Sequence, residues 1–357
     1  VVEWLREAHH ITLFAPGDAF DLLSRAYAGS DVAVRRLPGL HFCYDAQHRI
    51  DTVATICAGW AYLRRLGSSV DALRQVVERE QPDLVITDFE PILPRAARAA
   101  GVPLVSLNHQ HFLAVSDFRG LPLRLRAWAG AMARLLPAVV SGQSATVVSS
   151  FYFPPLKRRY RGRVTQVGVL LRPAVLAAVP TNGAHLVAYL RKAASPQVLD
   201  ALVQCGEAVR VYGLGERERC GRLEFHAISE ERFIADLASA RALVTTAGNQ
   251  LVGEALHLGK PVLAMPEPGN FEQYINAHYL AAEGAGAWVD MEAITGAAVG
   301  AFLARLDAYR AAIRPERVSG NAAAFAVLRR HLPGAGDAVP RTAPAARRPA
   351  HPLPAYS

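Results

Sequence analysis

Two short stretches hold most of the residues able to do chemistry. Arg241 to Thr245 is an apolar run that ends in hydroxyls, and Ala247-Gly248-Asn249, flanked by Thr246 and Gln250, follows as a tight turn. Gly tolerates positive φ and Asn nearly so, which lets the backbone reverse sharply there. From Gln250 to Leu258 the spacing predicts a helix with Leu251, Ala255 and Leu258 on one face. Gly259 stops it, Pro261 blocks continuation, and Val262 to Met265 reads as a buried strand. The first turn of such a helix leaves N–H groups unpaired and carries partial positive charge, so small residues before it admit an anion such as a phosphate. Glu254, one turn further on, suits a pair of sugar hydroxyls. Past the next strand, Glu267-Pro268-Gly269-Asn270 opens a loop, and Asn270, Glu272 and Gln273 sit where a helix starts. Open α/β sheets bind their ligands at that carboxyl edge.

The amino half holds a second constellation. Leu84-Val85-Ile86 is a parallel-type buried strand, with Asp88 and Glu90 just past its end. Val102 to Leu107 is another, ending in Asn108-His109-Gln110-His111. Asp88, Glu90, His109 and His111 are candidates to take a proton from an acceptor hydroxyl in one crevice. The alternatives are structural, with Asp88 capping the next helix and His109 a satisfied core histidine, or a metal site. Against metal, the spacing is not a helical His-x-x-x-His and no Asp-x-Asp pair occurs.

The order Gly248-x-x-x-x-x-Glu254-Ala255-Leu256-x-x-Gly259-Lys260-Pro261-Val262-Leu263-x-x-Pro266, then a loop, then Glu272-Gln273-x-x-Asn276-Ala277, resembles the carboxyl-terminal half of GT-B glycosyltransferases. It is most similar to the branch containing the bacterial lipid II N-acetylglucosaminyltransferase. The resemblance implies an α/β fold of two doubly wound, Rossmann-like domains facing a cleft. It implies that the Thr246–Gln250 turn holds the donor diphosphate, that Glu254 binds the ribose, and that Glu272 and Gln273, with Asn270 beside them, contact the donor sugar. A position near Ile228 would hold the base by backbone contacts. Arg191 or Lys192, after the strand His185 to Leu190, could reach a diphosphate oxygen or be solvated loop charge. The implied reaction is metal-independent transfer of a hexose from a nucleoside diphosphate sugar, UDP-linked by analogy, to an acceptor hydroxyl. The sugar nucleotide is a co-substrate and no cofactor is expected. Inversion is the family expectation. The alternatives are a nucleotide-sugar epimerase of the same fold and a non-catalytic nucleotide-sugar-binding protein. In that family a first strand and a Gly-rich loop carrying a His would precede Val1, so a truncated amino terminus is expected.

These residues need two sheets to position them. The chain has 357 residues, enough for two domains, and 51% hydrophobic with 20% charged residues describes a globular protein. We expect an acceptor-side domain over 1–170, a linker over 171–184 containing Pro173, Pro180 and Gly183, a nucleotide-sugar-binding domain over 185–332, and a disordered Pro/Ala-rich tail over 333–357. Residues 51–79 read as a long helix interrupted near Gly67-Ser68-Ser69. The net charge of +8 suits an anionic ligand or membrane surface, and no nucleic-acid-binding pattern accompanies it. Residues 117–140 mix Arg with Trp128 and leucines. They read either as a helix packed on the domain or as one lying on an anionic bilayer, which would imply a lipid-linked acceptor. Four cysteines without close-pair spacing, no apolar run of about 20 residues and no signal peptide point to the cytoplasm, with the inner face of the membrane as the peripheral variant.

Overall fold

The computed structural model describes residues 1–39, 52–139, 141–191 and 195–333. The expected tail, apart from Pro333, and Lys192 lie outside the described residues. The chain forms two compact units. One comprises Val1–Leu107, Pro137–Ala145 and the segment from Phe325; the other comprises Asn108–Leu136 and Thr146–Ala324. The units therefore divide the chain elsewhere than at 171–184.

In the first unit, β1 (Thr12–Pro16) pairs in parallel with β2 (Ala33–Leu37), and β3 (Val85–Thr87) pairs in parallel with β4 (Leu104–Asn108). The helix Thr52–Glu80 runs without a break through Gly67-Ser68-Ser69. Packing outweighs the local propensity there: Leu73, Val76 and Val77 on its next turns are buried against Ile92 and Ala96 of the helix Ile92–Ala99.

The second unit holds the parallel pair β5 (Ala145–Ser149) and β6 (Val164–Val167). It also holds a six-stranded sheet of β7 (His185–Tyr189), β8 (Ala208–Tyr212), β9 (Leu223–His226), β10 (Leu243–Thr245), β11 (Val262–Ala264) and β12 (Gly286–Trp288). All its pairings are parallel, in the order β9-β8-β7-β10-β11-β12. Counted along the chain this is 3-2-1-4-5-6, a doubly wound sheet whose order reverses between β7 and β10. Strands covered on both faces read as continuous apolar runs, and Leu186, Val187, Ala188, Leu243, Val244 and Val262 are fully buried. Gly286 is required in β12, because a Cβ there would lie 2.0 Å from the Val262 carbonyl oxygen.

Candidate functional site

The reversal between β7 and β10 puts a crevice outside their carboxyl ends, and the candidate turn lies there. β10 ends at Thr245; Thr246 and Ala247 are buried, and Gly248 is the N-cap of the helix Asn249–His257. Among the described residues no side chain caps this helix, which leaves its first-turn N–H groups without a protein acceptor of that kind. The turn is braced from below. Asn276, fully buried, donates from Nδ2 to the Ala247 carbonyl at 2.8 Å and accepts from the Tyr152 hydroxyl at 2.7 Å. Tyr152 in turn stacks on Tyr279, ring centroids 4.3 Å apart. The Asn249 side chain donates to the Ser149 carbonyl and accepts from the Phe151 N–H, so it anchors the helix start and leaves the backbone to meet an anion.

The loop after β11 is built by its own polar groups. Asn270 caps the helix Phe271–Ala282, accepting from the Gln273 N–H. Gln273 is buried; its Oε1 accepts from the Glu267 N–H at 2.7 Å and its Nε2 donates to Glu267 Oε2 at 3.0 Å. Arg191, at the end of β7, donates to the same Glu267 oxygen at 3.2 Å, tying the ends of two strands together. Asn270 and Gln273 therefore shape the loop, while no hydrogen bond among the described residues ties Glu272, whose carboxyl is pushed above its ordinary range by burial.

Glu254 projects from the Asn249–His257 helix and is 2% exposed. Arg172 grips it with two parallel bonds, Nε to Oε1 at 2.9 Å and Nη2 to Oε2 at 2.7 Å, and Gln250 Nε2 adds a third to Oε1 at 3.0 Å. The remaining arm of Arg172 reaches Glu230 at 3.0 Å. Glu230 opens the helix Glu230–Ser239, capped by Ser229, directly after the exposed Ile228.

His109 lies in the same unit and 8% of it is exposed. Its Nδ1 lies 2.9 Å from the Ser149 carbonyl oxygen, which can only accept, so Nδ1 carries the proton and Nε2 the lone pair. Nε2 is buried without a well-formed hydrogen bond, close to Asn276 and 3.9 Å from Glu272 Oε1. The ring stacks on Phe112. Burial lowers its pKa to about 4, outweighing Ser149 and Asn276, which favour the charged form. His111 is also buried, with its N–H and Nδ1 both on Asn108 Oδ1, and burial lowers its pKa to about 4 as well. Asp88 and Glu90 belong to the first unit. Asp88 is exposed after β3. Glu90, rather than Asp88, caps the next helix, accepting from the Ile92 and Leu93 N–H groups at 2.8 and 2.7 Å. Between them Phe89 adopts φ +55°, a left-handed conformation unusual for an aromatic residue.

Sequence reasoning missed Arg172, Tyr152 and Glu267. Arg172 stands 82 positions before Glu254, and no local spacing connects them. The segment 117–140 contains the helix Leu123–Val139, which continues through Pro137. Trp128 stacks on Phe271 at 5.5 Å and Arg124 lies over the same ring, so the Trp of this segment packs on the protein, as in the packed-helix alternative. Among the described residues, no three His, Cys, Asp or Glu side chains are grouped to hold a metal, and no helix is long and apolar enough to cross a membrane.

Comparison with solved structures places this architecture among the GT-B glycosyltransferases. The glycotransferase of kitacinnamycin superposes with a TM-score of 0.64 at 16% identity, covering 93% of each chain. CalG4, the calicheamicin glycosyltransferase, gives 0.63 at 19%, again covering 93% of each chain. Arabidopsis thaliana UGT89C1 complexed with UDP-L-rhamnose gives 0.61 at 17%, covering 91% of this chain and 89% of that one. At these identities the likeness is one of fold. A comparison with curated proteins finds no match in sequence. The family model described as Glycosyl transferase family 1 matches residues 1–307, and the chain belongs to that family. It is a glycosyltransferase.

Proposed function

We propose that this glycosyltransferase transfers a sugar from a nucleoside diphosphate sugar, UDP-linked, to an acceptor hydroxyl, with inversion and without a metal. The observation that carries the reading is the uncapped helix start at Gly248, set at the reversal point of the sheet with buried Glu254 on the same helix. That one helix offers N–H groups to a diphosphate and a carboxylate to a ribose. A UDP-L-rhamnose complex of a protein sharing the fold supports the choice of nucleotide.

In this account the acceptor oxygen attacks the anomeric carbon, and the bond to the diphosphate breaks with its electron pair staying on the departing oxygen. The helix N-terminus stabilises that growing charge. The acceptor proton passes to Nε2 of His109, whose lone pair is available because Nδ1–H is committed to Ser149. Glu272, the untied member of its loop, meets the donor sugar. Gln273 acts one step removed, through Glu267. Trp128 and Phe271 form a flat apolar wall beside Glu272, which suits the body of an acceptor. A lipid-linked acceptor, as in the lipid II branch, would need the exposed Leu123 and Leu135 of the same helix to meet a bilayer.

The test is donor turnover, followed as UDP release from UDP-sugars with and without a panel of hydroxylated acceptors. Acceptor-dependent release is the expected result. Conversion of the donor sugar without any acceptor would make the protein an epimerase, and binding without consumption would make it a sensor.

A further inference from the structure

We infer that the loop joining β5 to β6 docks on the phosphate headgroups of an anionic lipid bilayer. The inference needs neither the donor reading nor a lipid-linked acceptor. Lys157-Arg158-Arg159-Tyr160-Arg161-Gly162-Arg163 holds five cations and no carboxylate, in a chain whose net charge is +8. Such a run is ordinarily a solvated face whose charges are answered by neighbouring acids. Among the described residues none of these five cations is in an ion pair, and Arg158 and Arg163 make no side-chain hydrogen bond. Asp117, whose charge acts on Lys157, is held by Arg119 at 2.7 Å. The contacts that the loop does make involve no counter-charge. Lys157 Nζ donates to the Ala114 carbonyl at 2.7 Å, Arg161 Nε donates to the Leu156 carbonyl at 3.3 Å, and Arg159 lies over the Tyr160 ring.

The backbone nevertheless holds the charges together. Arg158–Tyr160 is a single 3-10 turn. The Tyr160 N–H donates to the Lys157 carbonyl at 2.9 Å and the Arg163 N–H to the Tyr160 carbonyl at 3.1 Å, with Gly162 at φ +75° allowing the second reversal. Arg158, Arg159, Arg161 and Arg163 are all exposed. Like charges fixed this close repel one another, and an external layer of anions relieves that repulsion. A sheet of phosphates suits the loop better than a nucleic acid does. Single strands are held by rings open to base stacking, and the one ring in the run, Tyr160, already carries Arg159. A duplex groove admits a helix or a ribbon, and this loop has three helical residues. A planar headgroup layer requires neither. No large apolar side chain between 151 and 166 is exposed among the described residues, so the contact is electrostatic and reversible, without insertion. The bilayer contact expected at 117–140 thus moves to this loop, since Trp128 of that segment is packed on Phe271.

The experiment is co-sedimentation of the full chain with phosphatidylcholine vesicles, pure or containing about 30% phosphatidylglycerol. We expect binding to the anionic vesicles only, and release when salt rises from about 0.1 M to about 1 M. Each cation near such a surface adds about fivefold in affinity, so Arg158→Glu with Arg159→Glu should weaken binding at least about twentyfold. Arg217→Glu with Arg219→Glu makes the same change in net charge at another exposed loop and should weaken it less than about threefold. Circular dichroism checks that both variants are folded. Equal binding to neutral and anionic vesicles, retention at high salt, or equal loss in the two double variants would each overturn the inference. So would displacement of the chain from anionic vesicles by single-stranded RNA at equal phosphate concentration, which would assign the loop to nucleic acid.

Discussion

Substituting His109 with Gln should change how stability depends on pH, by an amount the burial of the ring sets. His109 and His111 are held neutral inside the second unit, each with its pKa lowered to about 4, against about 6.5 in an unfolded chain. For a histidine shifted down, the unfolded chain binds the extra proton first. Stability is therefore full above pH 6.5 and is lost progressively as pH falls from 6.5 towards 4. Between pH 8 and pH 5 the linkage relation gives a loss of about 2 kcal/mol for each ring. Carboxyls pushed up by burial, Glu272 and Glu90 among them, act in the opposite direction over the acid range, so the wild-type curve alone is a mixture. The comparison with His109→Gln isolates one ring, since the Gln amide does not titrate in this range. Urea unfolding at pH 8 and pH 5 should show the mutant's stability relative to wild type improving by about 2 kcal/mol on acidification. Parallel curves for the two proteins would refute the argument, and so would a ring that NMR finds protonated on Nε2 rather than Nδ1 at pH 7.

Other outcomes follow from the same geometry. Arg172→Met should destabilise the chain by about 3 kcal/mol, the low end for stripping a buried carboxylate of its partner because Arg172 itself is half-exposed. A thermodynamic cycle with Glu254→Gln should recover at least about 1.5 kcal/mol of that as coupling, and simple additivity would count against the pair. Asn276→Ala removes the brace under Ala247 and orphans the Tyr152 hydroxyl, so it should cost about 2–4 kcal/mol and weaken nucleotide binding, with Tyr152→Phe milder in both measurements. Gly253→Ala puts a Cβ 2.5 Å from both methyls of the buried, stiff Val169, and denaturation should show a net loss of about 1–2 kcal/mol despite the gain in helix propensity.

Much of the turn, helix and strand from Gly248 to Met265 was legible in the sequence because its signals are local. The Gly248 turn, the Gly259 stop at φ +69° and the apolar strands on either side are decided by neighbours in the chain. The sheet order agrees with what that unit requires, since the turn falls where the order reverses. What stayed hidden was long-range. Arg172 read as an arginine before a proline, and Tyr152 as one of an aromatic run, because nothing local links them to Glu254 or Asn276. The division of labour between Glu272 and Gln273 was equally hidden: both are polar residues at a helix start, and only the loop's folding consumes one of them. Only Asp88 was read as a cap from the sequence, and Glu90 takes that place past the positive φ at Phe89. The helix through Gly67-Ser68-Ser69 was misjudged because packing of Leu73 and Val76 outweighs weak propensities.

The central claim is that the Gly248 turn and Glu254 together bind a nucleoside diphosphate, and its most direct test is calorimetry. Wild type and Glu254→Ala should each be titrated with UDP, dTDP and GDP. The account predicts a single micromolar site for UDP on wild type, weakened in the mutant by about 1–3 kcal/mol with the fold intact. Equal binding by the two proteins, or no binding of any of the three by a folded wild-type chain, would contradict it.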